Sequence, residues 1–218
     1  FLDDYFDYQE KYSKKLGDKT IVLMQNGTFY EMHSYNLPNN KQNFENLNRV
    51  VDICNIVLTL KDKKKDMSLA NPHMAGIPVA HFEKYTKILT SNNYSIVLVE
   101  QITPPPTPER GVTRIISPGT DVNFLDSNAN YLMCIYIENE CNISAGISAI
   151  DLSTGKNTVY EIISKKDDNA IVLDEIYRCI KTHNPSELVI YCTDNELERD
   201  TLISYLEIEH RIIHFHRE

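Results

Sequence analysis

Hydrophobic positions in the first third of the chain recur at two distinct spacings. Leu2, Tyr5, Phe6, Gln9, Tyr12 and Leu16 fall on one helical face, and Gly17-Asp18 ends it. Thr20-Ile-Val-Leu-Met24 then reads as a buried strand, Asn26-Gly27 as a turn, and Phe29 to Met32 as the returning extended segment. A polar loop over Asn36–Asn43 precedes a second helix whose face is Phe44, Leu47, Val51 and Cys54. Val57–Leu60 predicts a strand, Lys61-Asp-Lys-Lys-Lys65 a basic loop, and Met74-Ala-Gly-Ile-Pro78 a further loop. Pro78 suits the first turn of a helix with Phe82, Tyr85, Ile88 and Leu89 inward. Strands over Ser95–Glu100 and Val112–Ile116 flank Pro104-Pro-Pro106.

The rhythm changes after Ser117-Pro-Gly-Thr-Asp-Val-Asn-Phe-Leu-Asp-Ser-Asn-Ala-Asn130, which is rich in turn formers. Three extended runs (Tyr131–Ile137, Ile143–Leu152, Thr158–Ile163), joined by Glu138–Asn142 and Ser153-Thr-Gly155, predict an antiparallel meander. A helix containing Ile171, Asp174, Tyr177 and Lys181, a strand at Glu187–Tyr191, a helix over about Asn195–Leu206 and a strand at Arg211–Phe215 complete the order. That succession is the one expected of a ribonuclease-H-like fold. The expected organisation is α/β throughout, with a mixed-sheet domain over 1–121, a linker over 122–129 and a second domain over 130–218.

Charge sharpens the division. Residues 1–121 carry 14 Lys and Arg against 14 Asp and Glu, whereas 122–218 carry 8 against 17 and hold the whole net charge of −9. The first half is therefore electrostatically permissive toward a polyanion, and the second repels one. Five cysteines with no C-x-x-C pair are expected to be buried free thiols, implying an intracellular, reducing compartment. No apolar run is long enough to span a bilayer, and the acidic start is unlike a secretory signal. Because the chain opens on Phe1, it is expected to be cut from a longer protein.

Asn26-Gly-Thr-Phe-Tyr-Glu31 is similar to the G-D-F-Y-E segment of mismatch-binding domains of the MutS family. Further similarities follow in that family's order: Leu58-Thr59, Met74-Ala-Gly-Ile-Pro78, Tyr85, Glu100-Gln101 and Arg114-Ile-Ile-Ser-Pro-Gly-Thr120. Asp151-Leu-Ser-Thr-Gly155 and Asn184-Pro-Ser-Glu-Leu188 resemble turns of the family's connector domain, so nearly the whole chain is covered. Asn26 stands where bacterial relatives often carry an apolar residue, and Thr28 replaces their usual Asp. The polar 36–48 segment and the proline run look like a divergent branch known from large viruses and organelles.

The resemblance implies a reader of mismatched or looped duplex DNA in mismatch repair, with Phe29 as a stacking wedge and Glu31 hydrogen-bonding the base. The residue types suit that work. Side chains two apart on a strand share a side, an apolar wedge unstacks a flexible step at lower cost than a paired one, and a phenyl ring stacks on any base. Glu31 either accepts from a base N–H or, if protonated, donates to a ring nitrogen; phosphates nearby favour protonation. Asn26, Gly27, Thr28, Met74, Ala75 and Gly76 are candidates for approach to the DNA. Lys61, Lys63, Lys64 and Lys65 are candidates for its phosphates, with a solvated basic loop as the alternative. Arg110 and Arg114 are surface or structural.

The resemblance further implies a homodimeric parent, a MutL-type partner for the connector, and ATP with Mg²⁺ in an ATPase region beyond Glu218. No G-x-x-x-x-G-K-[ST] occurs here, so no cofactor is expected in this segment. The competing reading is a metal-dependent nuclease built on Asp151, Glu138, Asp174 and Glu175. Asp151, however, sits in a turn where bonding to its own backbone is role enough. His210, His214 and His216 lack a completing ligand and are expected at an exposed chain end.

Overall fold

The computed structural model describes residues 1–36, 40–104, 106–120, 129–139, 142–164, 170–193 and 197–217. The expected 36–43 loop, 104–106 proline run, 122–129 linker, 138–142 turn and the start of the Asn195 helix lie wholly or partly outside them. The chain divides into two compact units, Phe1–Pro118 and Gly119–Glu218. No helix among the described residues is long and apolar enough to cross a membrane.

In the first unit, helix α1 (Leu2–Leu16) carries Asp3 and Asp4 in its first turn and Lys14 and Lys15 in its last, complementing the helix dipole. Strands β1 (Thr20–Asn26) and β2 (Phe29–Ser34) form a hairpin, and α2 (Lys41–Cys54) ends on Asn55 in the left-handed conformation. Strands β3 (Thr59–Leu60) and β4 (His73–Pro78) come next, then a single 3-10 turn (Val79–His81) and α3 (Phe82–Ser91). Strands β5 (Ser95–Gln101) and β6 (Arg110–Ile116) close a six-stranded sheet of order β3-β4-β2-β1-β5-β6, in which only β1 and β5 pair in parallel.

Each face of that sheet has its own core. Ile21, Leu23, Tyr30, Met32, Ala75, Ile77, Ile96 and Leu98 bury against Leu47, Val50 and Val51 of α2 and Leu89 of α3. On the other face Val22, Met24, Val97 and Val99 bury against Tyr5 of α1. Gln9 tightens this second layer: its side-chain amide donates to the Thr20 carbonyl (2.8 Å) and accepts from the Val22 N–H (2.9 Å). Those are backbone groups of β1 before β2 joins it at Met24, so a side chain replaces the missing strand.

Two expectations for this unit need correcting. The segment 73–78 is a strand, because Ala75 and Ile77 alternate into the core while β2 supplies a full ladder of partners. The strand expected over 57–60 shrinks to Thr59–Leu60, since Val57 is 79% exposed and has no core to face.

The second unit contains strands β7 (Tyr131–Asn139), β8 (Ile143–Asp151) and β9 (Asn157–Ile163), the expected antiparallel meander. Helix α4 (Ala170–His183), β10 (Glu187–Cys192), α5 (Arg199–Tyr205) and β11 (Ile212–Arg217) follow, giving a mixed sheet of order β11-β10-β7-β8-β9. Met133, Ile135, Ile137, Ala145, Ile147, Leu188 and Ile190 bury with Val172 and Ile176 of α4 and Leu202 of α5. Both helices therefore cover one face of this sheet.

Glu187 is buried in the second unit. It accepts from the Gly119 N–H (3.0 Å) and meets His214 Nε2 at 2.5 Å. His210 and His216 are exposed, as expected, and His214 is half-buried; β11 pairs with β10 from Ile212 to Arg217, and His216 stacks on Tyr191 at 4.7 Å. The four described cysteines are free, but Cys134 is exposed, contrary to the expectation of buried thiols, because it lies on the sheet face opposite the helices. Burial pushes the Cys54 thiol up to about 11.

Candidate nucleic-acid interface

The β1–β2 hairpin turns over Gly27 and Thr28, one residue later than the sequence suggests. Gly27 has φ +60° at the first central position, where two-residue hairpins of the II′ kind place glycine. The shift matters, because it leaves Asn26 in the strand, paired with Phe29. Asn26, Phe29 and Glu31 consequently share one sheet face. The Val79 N–H donates to the Thr28 carbonyl (2.9 Å) and ties the hairpin tip to the end of β4.

Alternation along β2 separates two tasks. Tyr30 and Met32 point into the core under α2 and α3. Phe29, Glu31 and His33 lie on the α1 side, and exposure falls steeply along them. Phe29 is 47% exposed, the Glu31 side chain 15%, and His33 is fully covered by the rings of Phe1 and Tyr5. Helix α1 thus roofs His33 and leaves Phe29 open. Opposite them on β4 stand Pro78, Gly76 and Met74. A Cβ at Gly76 would lie 3.7 Å from Phe29 Cδ1, so the ring rests beside bare backbone.

Glu31 is held from two sides. Asn26 Nδ2 donates to its Oε1 (2.9 Å), and His33 Nε2 lies 3.1 Å from its Oε2. Burial pushes the Glu31 carboxyl upward, but the hydrogen bonds from His33 and Asn26 and the charge of Lys61 outweigh it and hold it below its ordinary value. In the free protein Glu31 is therefore a carboxylate.

The remaining candidates fall into groups. Gly27 and Thr28 form the exposed tip, and Met74 and Gly76 lie half-buried on the shelf. Ala75 is withdrawn: at 1% exposure its side chain belongs to the core, as alternation between Met74 and Gly76 demands. Lys61, Lys63, Lys64 and Lys65 are exposed along the loop after β3, with Lys65 paired to Asp62 at 3.6 Å. That loop is built around buried Asn71, which accepts from the Asp62 N–H (2.7 Å) and donates to the carbonyls of Asp62, Lys65 and Asp66. Arg110 donates to the Gln25 carbonyl (2.8 Å) and lies over the Phe1 ring, while Arg114 lies over Phe82. Both are therefore part of the scaffold.

Sequence reasoning missed His33 and Asn71. The period of two that joins Phe29 to Glu31 extends to His33, so the first was within reach; nothing local marks Asn71. The acids of the nuclease reading are not brought together. Asp151 accepts from the hydroxyls of Thr154 and Ser153 (both 2.7 Å) and from two backbone N–H groups, which lower its carboxyl to about 2. Glu138 is bonded to Ser144, Asp174 to Tyr205, and Glu175 to Arg178. Among the described residues no cluster of three His, Cys, Asp or Glu side chains could hold a metal ion.

Residues 5–124 match the family model of MutS domain I. A MutS homologue of Acanthamoeba polyphaga mimivirus, described as a DNA mismatch repair protein, is 34% identical over 226 aligned positions, covering 97% of this chain and 20% of the relative. The DNA mismatch repair protein MutS of Fusobacterium nucleatum is 31% identical over 171 positions, 75% of this chain and 17% of the relative. That of Fervidobacterium nodosum is 31% identical over 200, 89% and 20% respectively. The chain thus spans about a fifth of the length of the curated relatives it matches. On these matches the chain belongs to the MutS family, with that family's domain I making up its first half.

Proposed function

We propose that this chain reads mismatched or looped duplex DNA, with Phe29 wedging against the unpaired base and Glu31 bonding its edge. The observation that carries the reading is the exposed ring of Phe29, set beside the bare backbone of Gly76 at the open end of a face whose other end is roofed by α1. A phenyl ring half in water adds little to the core, and stacking on a base gives its exposed face a partner in this reading. Asn26, Gly27 and Thr28 at the hairpin tip and Lys61, Lys63, Lys64 and Lys65 on the adjacent loop contact the sugar–phosphate backbone in this reading.

The second unit serves as the connector. Counted within itself, its strands run 3-2-1-4-5 across the sheet, which supports a ribonuclease-H-like architecture. The occupied oxygens of Asp151 speak against the nuclease alternative. In the longer protein the connector relays the DNA-bound state to an ATPase using ATP and Mg²⁺, within a homodimer that engages a MutL-type partner. Sedimentation of that longer protein as a monomer at full activity would contradict the dimer.

The test is fluorescence anisotropy at low salt with homoduplex, a G·T mismatch and a one-base loop. Wild type is expected to favour the two defects, and Phe29→Ala to lose that preference with a roughly five- to 150-fold weakening, on the scale of about 1–3 kcal/mol for one stacked base. An undiminished preference in Phe29→Ala sinks the wedge.

A further inference from the structure

We infer that His33 and Asn26 are positioning residues that keep Glu31 an acceptor, so that the site favours a base presenting an N–H beside Phe29 over one presenting a bare ring nitrogen. This inference rests on the wedge reading above and adds a preference among defects to it.

The argument is one of proton counting. Glu31 has a polar neighbour on each oxygen: Asn26 Nδ2 at 2.9 Å on Oε1 and His33 Nε2 at 3.1 Å on Oε2. A carboxylate accepts from both at once. Protonating Glu31 would replace two charge-assisted bonds by weaker ones, and donating its O–H to His33 Nε2 would require the imidazole proton to sit on Nδ1 instead. The buried environment of His33 points the same way. Among the described residues its Nδ1 has no hydrogen-bond partner, and the ring meets those of Phe1 and Tyr5 edge-on. With the ring proton on Nε2, the group without a partner is a bare nitrogen rather than an N–H, and the N–H is used on Glu31. Lys61 adds positive charge near the same carboxylate.

The consequence for recognition follows from the lone pairs that remain. Each oxygen of Glu31 keeps acceptor capacity, and the side chain is 15% exposed. Thymine N3–H and guanine N1–H can donate to it, whereas adenine N7, an acceptor, meets like polarity and leaves only the N6 amino group to donate.

Two measurements test the inference, one of them without DNA. Carbon-13 NMR of the Glu31 side-chain carboxyl should show its titration midpoint rising in His33→Phe and again in Asn26→Leu; no rise in either overturns the inference. Anisotropy with one-base loops should show wild type favouring unpaired thymine over unpaired adenine by about tenfold, the order expected of one hydrogen bond to a charged group. That ratio should fall to about twofold in the double variant and in Glu31→Gln, whose amide can donate as well as accept. Replacing the unpaired adenine by 7-deazaadenine should leave wild-type binding unweakened, and weakening there means that Glu31 donates to N7 and refutes the inference. Failure of the wedge reading looks different: wild type would then not prefer either loop to homoduplex, and the NMR arm would still decide the state of Glu31.

Discussion

Replacing Phe29 or Tyr30 by alanine distinguishes a functional aromatic from a structural one on adjacent positions of a single strand. Tyr30 is 4% exposed, packs on Phe82 at 5.2 Å, and donates from its hydroxyl to Glu100 (2.8 Å). Truncating a buried large aromatic costs about 3–5 kcal/mol, and here a carboxylate also loses its donor. Phe29 is 47% exposed, so folding removes only about half of its surface from water. Since full burial of such a side chain contributes roughly 1.5–3 kcal/mol, Phe29→Ala should cost about 1 kcal/mol, with no enclosed cavity to add. The assay is native-state hydrogen exchange at the amides of β1, which reports opening of the first unit alone. Loss of protection should be larger in Tyr30→Ala by roughly 2–4 kcal/mol. Equal losses would show Phe29 to be a core residue, and the wedge assignment would fall with it.

Three further outcomes are expected. Asn71→Ala removes one acceptor and one amide donor shared among three carbonyls, and should destabilise the first unit by about 2–4 kcal/mol while quickening proteolysis of the 61–70 loop; an unchanged cleavage rate would contradict the role given to Asn71. A Cβ at Gly119 would stand 2.5 Å from Glu187 Cβ and 2.6 Å from its Oε2, so Gly119→Ala should lower the melting point of the second unit, and an unaltered melt would refute that packing. Asp151 titrates at about 2 in the folded chain against 3.8 when unperturbed, so its stabilising effect is complete above pH 4 and disappears as pH falls through 2. Acid unfolding of wild type and Asp151→Asn should therefore converge below pH 2, and a constant gap across that range would show the carboxylate's charge to be irrelevant.

Much of this molecule could be read from its sequence, for reasons that differ by element. Helices α1 and α2 announce themselves because their apolar residues must line one face, and β1 and β5 because both of their faces are buried. Strand β4 is hidden in the sequence: Gly76 and Pro78 mimic a loop, and the ladders with β2 and β3 make the segment extended. The hairpin register was misplaced by one residue, since Asn-Gly suggests a turn equally well when Asn is the last strand residue. Phe29 and Glu31 were legible through resemblance and alternation. The clamp on Glu31 was not, because it depends on which residues α1 covers, a contact between segments distant in the chain. Glu187 with His214 and Gly119 was invisible for the same reason.

The division of labour along β2 also bears on how such a site changes over generations. Tyr30 and Met32 anchor the strand from one face, whereas Phe29 and Glu31, together with Asn26 and Thr28 at the turn, look outward or into a shallow shelf. Mutations at the outward positions leave the core intact and so draw little on the narrow margin by which domains stay folded. Binding preference can then drift by single substitutions at the outward positions without passing through misfolded intermediates.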